Sequence, residues 1–494
     1  MANHKLINKA VVLNVVGTLL IINAFLMALT IPFSVYYKDG MLDVFIKSTI
    51  IILLIGLVTK YLTRKEKDDE VKKREGYLIV ALGWIAMSIC SGIPYYLSGE
   101  FNGIADIFFE TVSGFTTTGS SILNNIEQMP KSILFWRSMT QWIGGMGIIV
   151  LTIAILPLLG VGGMELFANE APGPTKDKIH PRIKETAKRL WFIYVGLTGL
   201  QIIFLSLAGM SFFDAINHSF ATMSTGGFST YQDSVGHFTS PIIQYIIIGF
   251  MIIAGTNFTL IYFGSRLKFS KFWNNDEFKW YIIAIILLSV VITPLVLNYK
   301  PLAGLEESFR AALFQVVAIM TTTGFYTANY CEWGAFASFI FFLLLFSGAC
   351  AGSTAGGIKI VRIVLLIKNA FLEFKRKLYP NAIIPVQLNG EGVDPKIIYN
   401  LLAFVFFYLF VFICGSIALV FIEGSKLDFQ DAVSASITAL SNVGPGIGKF
   451  QPSANYFYDL TDASKWVLSF LMLLGRLELF TIAILFTPYF WTKN

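Results

Sequence analysis

Long apolar runs alternate along the chain with short polar linkers that carry most of the lysines and arginines. A run of about twenty apolar residues is long enough to cross a bilayer as a helix. We predict ten such spans, and the first two cover residues 10–37 and Leu42–Leu62. A strongly charged linker follows, and the other eight spans come in four pairs.

An apolar segment of about half that length lies between the two members of each pair and ends in a polar, glycine-containing loop. These half-length segments are Ile104–Phe115, Phe212–Met223, 309–320 and 429–440. The loops that follow them cover residues 116–121, 224–228, 321–326 and 441–446. A unit that recurs along a chain decides the architecture before local detail does.

We therefore predict an all-α polytopic membrane protein in which four parallel units surround a central pore. Each unit is a helix, a short re-entrant helix with its loop, and a second helix. The units cover residues 77–189, 190–279, 280–396 and 397–494, and residues 1–76 hold two additional N-terminal helices and the charged linker. The alternative is that the loops are ordinary turns between membrane helices.

Irregular backbone at membrane depth is tolerated only where protein buries it or where it lines a water-filled cavity. Four such loops around one axis would create that cavity, and their carbonyl oxygens could replace the water shell of a monovalent cation. Glycine accepts the positive φ that an inward turn of the carbonyls needs. The short helices would point their negative C-terminal ends at the same centre. At their N-terminal ends we expect Asp106, Asp214 and Asp431 to act as caps, whereas the third unit has Arg310 at the matching place.

The second span of the third unit has an unusual middle, because Gly348, Gly352, Gly356 and Gly357 lie within ten residues of one another, together with Ser353 and Thr354. Glycines are poor residues for a helix interior. One explanation is a small-residue packing surface. The favoured one is a helix broken below the loops, since interrupted apolar segments indicate transport sites and the other second spans lack such a cluster.

Arg476 and Glu478 fall near the middle of the last span, 466–491. A charge at bilayer depth is costly and is a functional candidate by default. Either the two side chains form a local salt bridge, or Arg476 reaches the pore axis, where its charge would raise the barrier to cations. His218, in the second half-length segment, is either structural or a proton-coupling group.

Composition excludes a soluble globular protein, because 55% of residues are hydrophobic, 14% are charged and the mean hydropathy is +0.67. The net charge of +6 is explained by basic linkers on the cytoplasmic side and not by nucleic-acid binding. Ten spans place both termini in the cytoplasm with those linkers. The four cysteines have neither metal nor redox spacing, so we expect no disulfide and no metal cluster.

Taken together, the loops, the motif at residues 141–147, the glycine cluster and the motif at residues 475–478 resemble the membrane subunit of the Trk/Ktr potassium-uptake systems of bacteria. The two additional N-terminal spans are more similar to the Trk type than to the shorter Ktr type. The resemblance implies a potassium filter that comprises Thr117, Thr118, Gly119, Thr225, Gly226, Thr322, Thr323, Gly324, Asn442, Val443 and Gly444. It also implies a gating loop at 349–357, with Arg476 as its pore-facing partner.

By the same resemblance we expect a homodimer in the plasma membrane, regulated by a cytosolic ring of nucleotide-binding subunits. Potassium would be the only ligand, with no organic cofactor on this chain. The expected function is potassium uptake, and the alternative is a secondary transporter that couples the cation to protons or sodium. We expect no enzymatic activity, since no nucleophile, base or metal constellation lies on a polar segment.

Overall fold

The computed structural model describes residues 7–64, 72–150, 179–299, 301, 304–452, 454 and 456–492. The ends of both termini lie outside these ranges, as do much of the first charged linker, the last part of the predicted span 132–156 and much of the basic linker before residue 190. Within the described ranges the chain is mostly helical, with one two-stranded hairpin, β1 (Gln387–Leu388) and β2 (Glu391–Gly392).

The helices up to the second short helix are α1 (Lys9–Ala28), α2 (Ile31–Tyr37), α3 (Leu42–Leu62), α4 (Lys73–Ser91), α5 (Ile93–Ser98), α6 (Ile104–Phe115), α7 (Lys131–Val150), α8 (Ile179–Leu207) and α9 (Phe212–Met223). Those up to the hairpin are α10 (Pro241–Ala254), α11 (Phe258–Ser265), α12 (Ser270–Trp273), α13 (Asp276–Tyr299), α14 (Leu305–Met320), α15 (Ala335–Leu344) and α16 (Ile360–Leu378). The last helices are α17 (Pro395–Glu423), α18 (Phe429–Ser441), α19 (Asp462–Arg476), α20 (Phe480–Ala483) and α21 (Pro488–Trp491).

Six helical stretches among the described residues are long and apolar enough to cross a membrane: Lys9–Tyr37, Leu42–Leu62, Lys73–Ser98, Glu185–Leu207, Asp276–Tyr299 and Pro395–Lys426. Two further stretches meet that condition only as bent pairs, with α10 and α11 at 107° and α19 and the 480–486 segment at 108°. A chain with this many apolar helices is a multi-pass membrane protein.

The second helices of the units depart most from the sequence prediction. The predicted break in the third unit is confirmed, because α15 ends at Leu344 and α16 begins only at Ile360. The predicted continuous spans at 242–264 and 466–491 are wrong, since both bend by more than 100°. These bends follow Ala254 and Arg476. A single glycine lies beside each bend, Gly255 and Gly475, and packs closely against a neighbouring segment, but no glycine cluster marks the change.

The two N-terminal helices α1 and α3 cross closely through one glycine each. A Cβ atom on Gly17 would lie 3.1 Å from the carbonyl oxygen of Gly56, and one on Gly56 would lie 3.0 Å from that of Gly17. Small residues at a crossing let two backbones approach, which is how helices associate in a membrane without a hydrophobic driving force. The pair is connected to α7 through Asp39, whose carboxylate accepts hydrogen bonds from Ser34 and from the backbone of Ser132.

Candidate functional site: four loops and the break below them

The short helices α6, α9, α14 and α18 all end in the same backbone conformation. A residue with left-handed backbone angles follows each helix. It is the second residue after α6, α9 and α14 and the first after α18: Thr117, Thr225, Thr322 and Asn442, with φ of 53°, 54°, 54° and 56°. The next backbone N–H then returns to the helix in each case, in the bonds Thr118 to Ser113, Gly226 to Ala221, Thr323 to Ala318 and Val443 to Thr438, at 2.8–3.0 Å. Positive φ is a genuine outlier for a β-branched residue, and such outliers cluster at functional sites.

The loops that follow, loop 1 (117–121), loop 2 (225–229), loop 3 (322–326) and loop 4 (442–446), close into a ring. In each loop a glycine with positive φ abuts the backbone of the next loop in chain order, and loop 4 abuts loop 1. A Cβ atom on Gly119 would lie 2.1 Å from the Gly226 oxygen, and one on Gly227 would lie 2.0 Å from the Thr323 oxygen. A Cβ atom on Gly324 would lie 2.0 Å from the Val443 oxygen, and one on Gly444 would lie 2.7 Å from the Thr118 oxygen. Any side chain at these four positions would therefore open the ring.

The structure shifts the correspondence in loop 2 by one residue. The glycine with positive φ is Gly227, at 81°, and not Gly226, which lies at the position of Thr118, Thr323 and Val443. The sequence predicts Gly226 as the counterpart of the other three glycines, because it is the first glycine after the threonine. Only the backbone angles distinguish two adjacent glycines.

All four positive-φ glycines also line one pocket that is open to solvent. Its wall includes Ser120 and Ser229 of the loops, the nearby Gln232, and the apolar residues Phe228 and Phe450. The four loops thus border a common space.

Gln141 stabilises loop 2 from the second helix of the first unit, a role that the sequence did not reveal. Its Nε2 donates to the carbonyl oxygen of Gly226 at 2.7 Å, and its Oε1 accepts from the backbone N–H of Phe228 at 3.0 Å. The neighbouring Gly144 allows α7 to approach, because a Cβ atom there would lie 2.0 Å from the Phe115 oxygen. A small residue in the 141–147 motif therefore permits this close approach of α7 to the end of α6.

A buried ion pair connects loop 1 with loop 2. Arg137 on α7 is 1% exposed and its Nη2 lies 2.8 Å from Oε1 of Glu110 on α6. Glu110 also accepts from Oγ of Ser121 in loop 1 at 3.0 Å, while the Arg137 guanidinium lies 4.2 Å from the ring centre of Phe228 in loop 2. One charged pair therefore contacts both neighbouring loops.

We expect Arg137→Met to destabilise the folded protein by about 3–5 kcal/mol, because it leaves the buried Glu110 carboxylate without its partner. Replacing both residues, as Arg137→Met with Glu110→Leu, should recover part of the loss. Thermal unfolding in detergent measures both variants. Equal melting temperatures for the single variant and the unsubstituted chain would contradict the assignment.

The acidic residues predicted to cap the short helices occupy the same place in three of them, and all are buried. Asp431 accepts the backbone N–H of Asp428 in a capping box, Asp214 accepts from Ser211, and Asp106 forms a 2.6 Å hydrogen bond with Lys465. The third short helix, α14, begins at Leu305 and not at the predicted residue 309, so Glu306 and Glu307 lie in its first turn.

Arg310, which occupies the matching sequence position, therefore lies in the second turn of α14. Its Nε donates to Oε1 of Glu306 at 2.8 Å and its Nη1 to Oε1 of Gln244 at 2.6 Å. The positive charge is paired and does not act at the helix N-terminus.

The segment between α15 and α16, residues 345–359, is called the break loop here, and it folds back on itself. The backbone N–H of Gly348 donates to the Ile358 oxygen at 2.8 Å, and that of Ile358 to the Phe346 oxygen at 3.0 Å. A Cβ atom on Gly348 would lie 2.0 Å from the Gly356 oxygen. The glycines of the cluster are thus needed where the two halves of the break loop touch.

The break loop contacts the ends of three short helices. Thr354 Oγ1 donates to the Met223 oxygen at 3.0 Å, and the backbone N–H of Gly356 donates to Thr322 Oγ1 at 2.7 Å. A Cβ atom on Gly356 would lie 2.3 Å from the Ser441 oxygen. The break loop is therefore packed against the same helix ends from which loops 2, 3 and 4 begin.

Arg476 lies in contact with the break loop. Its side chain is 3% exposed, and Nη1 donates to the Thr354 oxygen at 2.8 Å. Within the described part of the chain its Nε and Nη2 have no hydrogen-bond partner. Glu478 pairs instead with Arg362 on α16, so the alternative of a local Arg476–Glu478 salt bridge is wrong.

The remaining candidates have ordinary surroundings. His218 is fully buried. Its Nδ1 lies 2.9 Å from the backbone carbonyl oxygen of Asp214, and its Nε2 lies 3.0 Å from Oγ of Ser229. All four cysteines are free. Among the residues that the structure describes, no three His, Cys, Asp or Glu side chains come together as metal ligands.

Comparisons with known proteins identify the family of this chain. A sequence model of the TrkH family, described as a cation transport protein, matches residues 42–493. The chain is 39% identical to the Trk system potassium uptake protein TrkH of Vibrio parahaemolyticus over 97% of this chain and 99% of that protein. It is 41% identical to the TrkH protein of Escherichia coli strain K12 over 97% of this chain and 98% of that protein.

A crystal structure of the potassium transporter TrkH from Vibrio parahaemolyticus superposes with a TM-score of 0.89 at 37% identity, covering 98% of this chain and all of that one. The Trk system protein TrkG of Escherichia coli strain K12 is 33% identical over 93% of both chains. The family is one of transporters, which confirms the expectation that the chain is not an enzyme. The chain belongs to the TrkH family of cation transport proteins and is a Trk-type membrane subunit.

Proposed function

We propose that this chain takes up potassium across the plasma membrane through a pore whose selectivity filter is the ring of loops 1–4. The observation that carries the proposal is the cyclic contact of four positive-φ glycines with the backbone of the next loop. In this proposal four parallel units surround the pore, and α6, α9, α14 and α18 are its re-entrant helices.

Potassium would bind to backbone and hydroxyl oxygens of the filter. Carbonyl oxygens of a loop can replace the hydration shell of a cation, and the C-terminal ends of the four short helices would add negative potential there. The proposed filter comprises Thr117, Thr118, Gly119, Thr225, Gly226, Gly227, Thr322, Thr323, Gly324, Asn442, Val443 and Gly444. None of these groups titrates near neutral pH, so the set suits ion conduction better than an enzymatic reaction.

The break loop would be the gate, with Gly348, Gly352, Gly356 and Gly357 as the residues that let it fold below the filter. Two observations support this role. The bonds to Met223 and Thr322 hold the break loop against the C-terminal ends of the short helices, and the bond from Arg476 to Thr354 adds a positive charge beside it. Opening would require the break loop to leave those contacts.

Uptake follows from the direction of the driving force. An inside-negative potential drives a monovalent cation inwards with about 2.3 kcal/mol per 100 mV. The names of the relatives, potassium uptake proteins of the Trk system, support potassium as the cargo. We further propose a homodimer with both termini in the cytoplasm, where the basic linkers could dock a ring of nucleotide-binding regulatory subunits.

Ion flux into sealed liposomes that hold only this chain tests the proposal. Under an imposed potential we expect potassium and rubidium to enter faster than sodium and lithium, without a proton gradient. Equal entry of all four ions would contradict the filter. Entry that requires a proton or sodium gradient would favour the coupled transporter instead.

A further inference from the structure

Glu277, in the first turn of α13, joins the two ends of the break. Its side chain is 2% exposed. Its Oε1 accepts hydrogen bonds from the backbone N–H groups of Ala351, at 2.7 Å, and Val361, at 3.2 Å. Ala351 belongs to the break loop and Val361 to the first turn of α16, so one carboxylate oxygen connects them.

These bonds satisfy backbone donors that would otherwise have few partners. The first N–H groups of a helix have no acceptor within that helix, and the capping residue of α16, Lys359, accepts no bond through its side chain. A carboxylate at a helix N-terminus is also favoured by the helix dipole. Glu277 therefore caps α16 from a different helix and holds the break loop through the same oxygen.

The residue before Glu277 is tied to the hairpin. The Asp276 carboxylate accepts from Nζ of Lys368 at 2.9 Å and from the backbone N–H of Asn389 at 3.1 Å. The backbone N–H of Asp276 donates in turn to Oδ1 of Asn389 at 2.7 Å. Asn389 lies in the turn between β1 and β2, so a movement of the hairpin would pull on the first turn of α13.

We propose that Glu277 is a positioning residue that latches the break loop in its closed place, and that the Asp276–Asn389 bonds connect this latch to the hairpin. The inference rests on the proposed function, because it assigns the break loop as a gate. It adds the part of the chain that holds the gate and the point at which a force from the predicted cytoplasmic side would release it.

Cys350 reports on the latch without any transport measurement. It is fully buried, precedes Ala351 and donates its backbone N–H to the Gly255 oxygen at 3.0 Å. In a background with Cys90→Ala, Cys331→Ser and Cys414→Ser, we expect Glu277→Ala to speed maleimide labelling of Cys350 about tenfold. Potassium flux into liposomes should rise by a similar factor, with the potassium-to-sodium ratio unchanged.

Two milder variants and one control accompany it. Glu277→Gln keeps a neutral acceptor of the same shape and should give a smaller rise. Asn389→Gly removes the side chain but tolerates the φ of 52° at that turn, and should also raise labelling. Glu373→Ala removes a half-exposed carboxylate that pairs with Arg376 on α16, and should change neither quantity.

A folded Glu277→Ala protein with unchanged Cys350 labelling and unchanged flux overturns the latch. If that variant fails to fold, Glu277→Gln and Asn389→Gly decide by the same criterion. A lowered melting temperature with reduced flux and no faster labelling would indicate a purely structural residue and also overturns it. Faster labelling in a chain that never conducts supports the latch contacts but contradicts the proposed pore.

Discussion

Gly324→Ala is expected to reduce potassium flux at least a hundredfold or to abolish its preference for potassium over sodium. The residue has a φ of 76°, and a Cβ atom there would lie 2.0 Å from the Val443 oxygen and 2.8 Å from Cδ of Pro445. Both obstacles belong to the backbone or ring of the adjacent loop and cannot turn away. Loop 3 and loop 4 would therefore separate, and the carbonyl oxygens would lose their spacing. Flux of potassium and sodium into liposomes measures the effect.

Gly209→Ala is the matched control for this variant. Gly209 has a φ of 96°, but a Cβ atom there meets nothing within 4 Å. Both substitutions put an alanine in the left-handed backbone conformation, which costs roughly 1–2 kcal/mol. The two variants therefore differ only in the contact between the new Cβ atom and loop 4. If both variants conduct as the unsubstituted chain does, the ring contact has no role in selectivity.

Arg476→Gln is expected to raise potassium flux about a hundredfold. A fixed unit charge roughly 6 Å from the path of the ion would add about 3 kcal/mol to the barrier at an effective dielectric constant of about 20. That amount corresponds to about two powers of ten. The substitution also weakens the bond to the Thr354 oxygen that holds the break loop. Single-channel recording or liposome flux measures the change.

Two control variants test whether the charge at residue 476 causes the effect. Arg476→Lys keeps the charge, and Arg376→Gln removes an arginine elsewhere. The lysine keeps the positive charge and should leave flux near its original value. Arg376 lies near the end of α16 and pairs with Glu373 at a partly exposed site outside the break loop, so its loss should not alter flux. Stable Arg476→Gln protein with unchanged flux would show that this arginine only packs helices together.

Some of the fold could be predicted from residue patterns alone. The bounds of α6 and α9 agree with the sequence prediction, because each is an apolar segment with a glycine or serine before it and a threonine or serine loop after it. The break near Gly348 was also foreseen, since clustered glycines disfavour a helix whatever surrounds them. The bends after Ala254 and Arg476 were missed, because each lies beside a single glycine, Gly255 or Gly475, and no glycine cluster interrupts the apolar pattern.

In the candidate site, too, some features could be predicted from the sequence and others could not. The four loops could be found from repetition, but no local pattern shows that Gln141, Glu110 and Arg137 support them. The partner of Glu478 is Arg362, which is 116 residues away, and not the nearby Arg476. Pairing between distant residues depends on which helix faces meet, and periodicity along one helix does not contain that information.

The sequence by itself determined the membrane class, the positions of the four loops and the place of the break, since hydrophobic length, repetition and glycine content are local properties. The tertiary structure decided that Gly227 is the left-handed glycine, that Arg476 bonds to Thr354, and that Glu277 holds both ends of the break. These depend on backbone angles and on hydrogen bonds across helices. Buried polar groups must find partners wherever packing places them, and only the assembled chain specifies those places.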